Sequence, residues 1–345
     1  MLKRIPLEEI QRPAYKNYDA ASVKDSEQEG VSIERINEDI LNNFTTDKVY
    51  GIDRGLVEEA EKDYNTGFYI KISSGKEIKK PLVFDYIADS QNDLLIDYNV
   101  IEVEPHSKVT IVFDYNSGEK GFKNGITRLV AKEGSAVNIV KIQRLGDGFS
   151  DFDNCLVEVG EKAAVNWSNV VIGAHISAFD VSVYLSEEGG NFTAKSVFLG
   201  VDSQVYDMSY KVYHYAPKTI SSVDLKGALK GSAKATFIGN IDIKKGAKKA
   251  KAEENETVLL LDKTVRSIAI PALYCAEEDV QANHSASAGQ IDENKLYYVM
   301  SRGFSLEEAR LLMVQAVLNP VIDLIPYDPI REIILRGHIG RRIIK

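Results

Sequence analysis

Glu104-Pro-His-Ser-Lys-Val-Thr-Ile111, Glu133-Gly-Ser-Ala-Val-Asn-Ile139 and Glu161-Lys-Ala-Ala-Val-Asn-Trp167 are three versions of one phrase, a short polar turn followed by an alternating strand. Glu188-Gly-Gly-Asn-Phe-Thr-Ala194 is a looser fourth copy. Their first apolar strand positions, Val109, Val137, Val165 and Phe192, stand 28, 28 and 27 residues apart. So regular a spacing implies a solenoid, in which each coil contributes the same strands and stacks on its neighbour. At about 4.8 Å between strands, roughly seven coils of this length make a rod about 35 Å long. A left-handed hexapeptide helix needs a six-residue period, which is absent, and a sandwich does not require this register. Spacing alone leaves both open beside the favoured reading, a flattened parallel β-helix.

Outward from the repeat, the region from Phe68 to about Cys275 alternates β-branched and aromatic runs with turns rich in Gly, Asn, Asp and Ser, and so reads as all-β. Before it, Ile33, Ile36, Ile40 and Leu41 recur at helical spacing, and Leu56 to Tyr64 forms a second short helical pattern. After it, a small-residue segment carrying His284 reads as a loop that runs into a helix capped by Asp292 and closed by Gly303. Ser305-Leu-Glu-Glu308 is a capping box. The helix it starts is apolar nearly all round through Leu318, so it must be covered on several sides, and Met313 or Leu318 is expected to face a partner. Asn319-Pro320 should interrupt it; Asp328-Pro329 should start a last short helix that Gly337 ends. The expected organisation is an N-terminal helical and irregular segment over 1–67, a β-helix core over 68–284 and a C-terminal helical domain over 285–345.

Composition narrows the function. The 345 residues are 44% apolar and 27% charged, the balance of a chain able to bury a large core. A net charge of −9 argues against a nucleic-acid groove, which needs concentrated positive charge. The densest basic run, Lys244 to Lys251, is followed at once by Glu253, Glu254 and Glu256, and reads as a solvated turn. The first residues lack the apolar core of a secretory signal and no apolar run is long enough to span a bilayer, so the expected address is cytoplasmic, without membrane contact. Cys155 and Cys275 form no C-x-x-C pair and are expected to be buried thiols.

Familiar chemistry is missing. No G-x-x-x-x-G-K-[ST] loop occurs, so no nucleotide is expected on this chain; Gly146-Asp-Gly148 lacks the third glycine of a dinucleotide fingerprint, and neither a G-x-S-x-G elbow nor an H-E-x-x-H helix is present. None of the five histidines pairs with another at a metal-ligand spacing of three or four residues. His214, in Tyr213-His-Tyr-Ala-Pro217, reads as a turn-stabilising side chain. By chemistry alone His284 reads as a surface or hydrogen-bonded histidine.

The stretch from Ala282 to Phe304, A-N-H-S-A-S-A-G-Q-I-D-E-N-K-L-Y-Y-V-M-S-R-G-F, adds a resemblance. Its H-[SG]-A-[ST]-x-G-[QK]-[IL]-D segment and the L-[FY]-Y-x-x-S-R-G-[FI] that follows resemble the C-terminal core of the SufB/SufD family, scaffolds for iron–sulfur cluster assembly. The resemblance covers residues 265 to 319 and extends back to about residue 80. It implies a right-handed parallel β-helix, and it implies that His284 is a metal ligand to a transient iron–sulfur cluster at a subunit interface. The SufB branch carries glutamate where this chain has Ser285 and a strand cysteine at the position aligned with Asn255, so the SufD branch is the nearer one. Two cysteines fall short of the four thiolates a stable cluster usually takes. The implied reading is therefore a scaffold, not an enzyme, that pairs with a SufB/SufD-type subunit, identical or different, and with a SufC-type ATPase. A carbohydrate-active β-helix enzyme of polysaccharide-lyase type and a purely structural interaction protein are the alternatives.

Overall fold

The computed structural model describes residues 5, 7–18, 20–118, 120–326 and 328–344, and in it each repeated turn opens a strand of one sheet. β1 (Ala21–Lys24) and β2 (Val31–Arg35) precede the short helix α1 (Glu38–Asn42) and α2 (Arg54–Asp63). Then come β3 (Phe68–Ile72), β4 (Leu82–Ala88), β5 (Leu94–Leu95), β6 (Tyr98–Val103), β7 (Lys108–Ser117), β8 (Lys120–Ala131), β9 (Ala136–Arg144) and β10 (Gly148–Val159). The coils continue through β11 (Ala164–Val171), β12 (Ile176–Leu185), β13 (Asn191–Gly200), β14 (Val205–His214), β15 (Ile220–Leu229), β16 (Lys234–Ile243), β17 (Lys251–Leu260), β18 (Arg266–Cys275) and β19 (Gln281–Gln290). Helices α3 (Glu293–Ser301), α4 (Leu306–Ile322), α5 (Asp328–Glu332) and α6 (Gly340–Ile344) complete the chain.

Successive strands fall alternately into two sheets. Sheet one runs β1-β4-β7-β9-β11-β13-β15-β17-β19 and sheet two β18-β16-β14-β12-β10-β8-β6-β3-β2. Pairing is parallel from β3 onward, and the eight parallel strands of sheet one mark eight coils, one more than the repeat suggested. The register is the one the repeat implies, with Val109 beside Val137, Val137 beside Val165, and Val165 beside Phe192. Inward residues build the core between the sheets, where identical columns become stacked rings: Phe84 on Phe113 at 5.2 Å and Tyr86 on Tyr115 at 4.9 Å.

Corners stack as regularly as strands. His106, Gly134, Lys162, Gly189, Lys218 and Lys249 all have positive φ, and each donates its N–H to a carbonyl of the next coil's corner, as Gly134 does to Glu161 at 2.8 Å. At Gly134, φ is +62° and an added Cβ would lie 2.4 Å from His106 Nδ1, so glycine avoids strain there and leaves room for the exposed His106 ring, although His106 and Lys162 hold the same conformation at the neighbouring corners.

Both outer faces are covered for part of their length. On sheet two, Leu56, Val57 and Ala60 of α2 pack on Phe122, Ile126 and Phe152. On sheet one, Val314, Leu318 and Ile322 of α4 pack on Val140, Val170 and Val197.

Several expectations are corrected. Ile33 lies in a strand, not a helix, because Val31 and Ile33 alternate toward the core; Asn37 then caps α1 through a bond from Ile40 N–H, so helix begins only after it. Pro320 sits inside the last turn of α4 rather than interrupting it, at the cost of the bond its N–H would have made, and the helix runs on to the Asp323 cap. Gly337 does not end the last helix, since Ile333–Ile339 is π-helical and passes into α6. Leu318 is fully buried against sheet one and cannot face a partner. Cys275 is exposed, unlike Cys155, because it ends the last strand of sheet two with no coil beyond. His284 lies within β19 and not on a loop: the small residues around it suit a strand that meets the register of β17.

Candidate functional site

Both sheets stop at unpaired strands. Among the described residues β19 pairs only with β17, and β18 only with β16. Nearly all of β19 is exposed, and on β18 Ile270 and Tyr274 are exposed as well. Rows of main-chain donors and acceptors are thus open at this end, a template for pairing with another chain.

His284 stands in register beside Glu254 of β17, and Ser285 beside Asn255. Paired residues of parallel strands share a face. Glu254 is buried between the sheets, so His284 belongs to the interior face of the last coil, exposed because no further coil covers it. Asn255 and Ser285 are partners outside, Ser285 Oγ donating to Asn255 Oδ1 at 2.6 Å. The two positions at which the chain departs from the SufB pattern are therefore adjacent in space.

The column that holds His284 changes character at its end. It reads Leu82, Ile111, Ile139, Trp167, Ala194, Val223, Glu254, His284. Opposite, in sheet two, Gly239 follows Val181 and Tyr210, and a Cβ there would stand 1.7 Å from Glu254 Oε1. The missing side chain is the room the carboxylate fills. Glu256, two residues on, faces the same interior. Burial pushes Glu254 up to about 7, and burial together with the Glu254 charge pushes Glu256 up to about 7.

Sequence reasoning assigned these two glutamates to a solvated charge run. Parity was the available signal: Ala252, Glu254, Glu256 and Val258 alternate with Lys251, Glu253 and Thr257, and the apolar members of the first set fix the inward face.

The other charged interior lies in the middle coils. Lys141 Nζ donates to Asp153 at 2.7 Å and to Thr127 at 2.8 Å, and Lys123 Nζ lies 3.1 Å from Asp151. Burial would raise Asp153, but Lys123 and Lys141 outweigh it and hold the carboxyl below its ordinary range. Cys155 is here too, 3.9 Å from Lys141 Nζ; burial, then the Asp153 charge, push its thiol well above its ordinary value, which makes it unreactive. A cavity of about 20 Å³ beside these groups holds no more than a water or two. His214 is structural as expected, its ring nitrogens 2.8 Å from Thr219 Oγ1 and 2.9 Å from Ser221 Oγ. Among the described residues no three His, Cys, Asp or Glu side chains already converge closely enough to hold a metal ion, and no helix is long and apolar enough to cross a membrane.

The comparison with family models gives the class of protein to which this parallel β-solenoid belongs. The chain belongs to the family described as "SUF system FeS cluster assembly, SufBD core domain", which matches residues 86–317. It is 27% identical over 272 residues to the iron-sulfur cluster assembly protein SufD of Bacillus subtilis, covering 78% of this chain and 62% of that protein. To SufB of the same organism it is 22% identical over 295 residues, covering 85% of this chain and 63% of that one. An iron-sulfur cluster assembly SufBD family protein of Mycobacterium tuberculosis is 24% identical over 205 residues, 59% of this chain and 24% of the relative. The chain thus spans less than two thirds of the length of each.

Proposed function

We propose that this chain is a scaffold subunit on which an iron–sulfur cluster is built at the junction with a second SufB/SufD-type subunit, His284 donating an imidazole nitrogen to iron. The observation that carries the reading is the open end of the solenoid, where the motif histidine lies on an unpaired edge strand. Neutral imidazole is a suitable iron ligand, and edge pairing would bring a second subunit's ligands within reach. The residues at this end fit part of a cluster site and not all of one. With Cys155 sealed in the middle coils, Cys275 is the exposed thiol of the chain, short of the four ligands a cluster usually takes. The cluster is therefore cargo held transiently, and the partner supplies the rest.

The chain itself turns over no substrate in this reading; nucleotide hydrolysis belongs to a SufC-type ATPase. Its docking surface is the apolar patch left on α3 and the start of α4, where Tyr297, Tyr298, Phe304 and Leu306 are exposed. The setting is the cytoplasm, whose thiol buffers keep an exposed Cys275 reduced.

The test is anaerobic reconstitution of wild type and His284→Ala with the same partner scaffold, ATPase, iron and sulfide, read by the sulfide-to-iron absorption bands. Cluster yield should collapse in the variant at equal complex formation. Equal absorbance from both would retire His284 as a ligand, and failure of the wild type to bind any scaffold partner in sedimentation would retire the scaffold reading.

A further inference from the structure

Glu254 and Glu256 lie on the interior face of β17, two residues apart and 3% and 4% exposed. Among the described residues neither forms an ion pair, and Glu256 Oε1 has no hydrogen-bond partner at all. Buried carboxylates without partners are costly, and they are retained where something else meets their charge. The column shows that the cost is local: six apolar rungs precede Glu254, and the first departure coincides with the glutamate that stands beside His284. A second feature points the same way. Gly239 clears the space across from Glu254 that Tyr210 fills one coil earlier, so the end of the interior is shaped around a carboxylate.

We infer that Glu254 and Glu256 form a divalent-cation site at the mouth of the solenoid, which takes ferrous iron and holds it next to His284. Residues i and i+2 on one strand face present two side chains to a single ion, and two carboxylates balance its charge. Oxygen donors with one imidazole suit Fe(II). His284, one strand away on the free edge, completes the set by rotation about its own side-chain bonds. The identity of the metal rests on the proposed scaffold function; the existence of the site does not. The chain would then receive iron before a cluster exists, with His284 common to both steps.

The experiment uses the full chain without partners. Ferrous iron is titrated anaerobically and the free metal read with a chelating dye, on wild type, Glu254→Gln, Glu256→Gln, the double variant and His284→Ala. Wild type should retain one iron per chain. Each glutamine should weaken binding by about tenfold or more and the pair abolish it, while His284→Ala should cost less than either. Gly239→Ala, whose new Cβ displaces the Glu254 carboxylate, should weaken binding as Glu254→Gln does. Iron should also raise the melting temperature of the wild type and leave that of the double variant unchanged, a readout that requires folded protein in both. No retained iron in the wild type, or undiminished binding in the double variant, overturns the site. The two readings separate cleanly. Undiminished iron in the double variant removes the carboxylate site even if His284→Ala still blocks cluster formation. Normal cluster yield from His284→Ala, with iron lost in the double variant, removes the cluster role of His284 and leaves the carboxylate site standing.

Discussion

Lys141 and Glu256 stand in one interior column of sheet one, four coils apart and each 4% exposed, and the molecule treats their charges in opposite ways. Lys141 is enclosed by Asp153 and Thr127 at hydrogen-bond distance, with Lys123 and two further aspartates close by. Glu256 has a second glutamate for a neighbour and an oxygen with no partner. Burial is the same; compensation is not. A buried charge that is fully answered belongs to the architecture, whereas one left unanswered beside an open end is available to a ligand.

The comparison breaks most directly at Lys141. Lys141→Met keeps the volume of the side chain but leaves Asp153 with one cation, Lys123 at 3.6 Å, beside the Cys155 thiol at 3.5 Å. Removing one partner of a buried ion pair costs about 3–5 kcal/mol, and a loss of that size should appear in urea unfolding at neutral pH. Glu256→Gln, at the same depth in the same column, should be neutral or stabilising, because it removes a charge that nothing answers. Equal losses from the two substitutions would erase the distinction between middle and end.

A second, smaller effect sharpens it through pH. Glu254 and Glu256 reach about 7 in the fold against 4.5 ordinarily, so between those values the native chain binds more protons than the unfolded chain. Their contribution is fully present below the unfolded value and is lost as pH rises through about 7. Water at the open end moderates it, and about 2 kcal/mol for the pair is the expected scale. His214 works with the opposite sign. Burial lowers it to about 4, and burial with neighbouring arginines lowers His338 to about 4, so both favour the fold above pH 6.5 and cease to do so as pH falls through about 4. Unfolding free energies at pH 5 and pH 8 should therefore fall further for wild type than for Glu254→Gln/Glu256→Gln. Parallel profiles would show that the carboxylates are not buried in solution.

The same contrast explains what could be read without coordinates. The coil was legible because Val109, Val137, Val165 and Phe192 meet in one register, and a stack of identical strands repeats its own pattern. Caps were legible for the same local reason: Asp292 accepts from Asn294 N–H, and Ser305 and Glu308 exchange the two bonds of a capping box. Where the repeat ends, the reading weakened. Ile33 fits a helix in isolation and a strand only once β3 is there to pair with it. His284 reads as loop because Ala, Ser and Gly around it carry no apolar alternation, the edge strand having no second neighbour to bury against. Glu254 was hidden by its charge, though the apolar members of its strand had already fixed its face.

The smallest effect belongs to His284, and its smallness is informative. The side chain is exposed on a strand with one neighbour, so His284→Ala removes little packing, and the β17–β19 main-chain pairing does not depend on it. Substitutions at such positions change stability by about 0.5 kcal/mol or less, and urea unfolding should show an unchanged midpoint and slope. A loss well above 1 kcal/mol would mean that the imidazole is bonded into the end of the solenoid, on the Lys141 side of the comparison. If stability is untouched, a collapse of cluster yield in the same protein cannot be blamed on the fold. Function and architecture are then separable at this residue, as an exposed ligand on an open edge requires and as Lys141, sealed in the middle coils, does not allow.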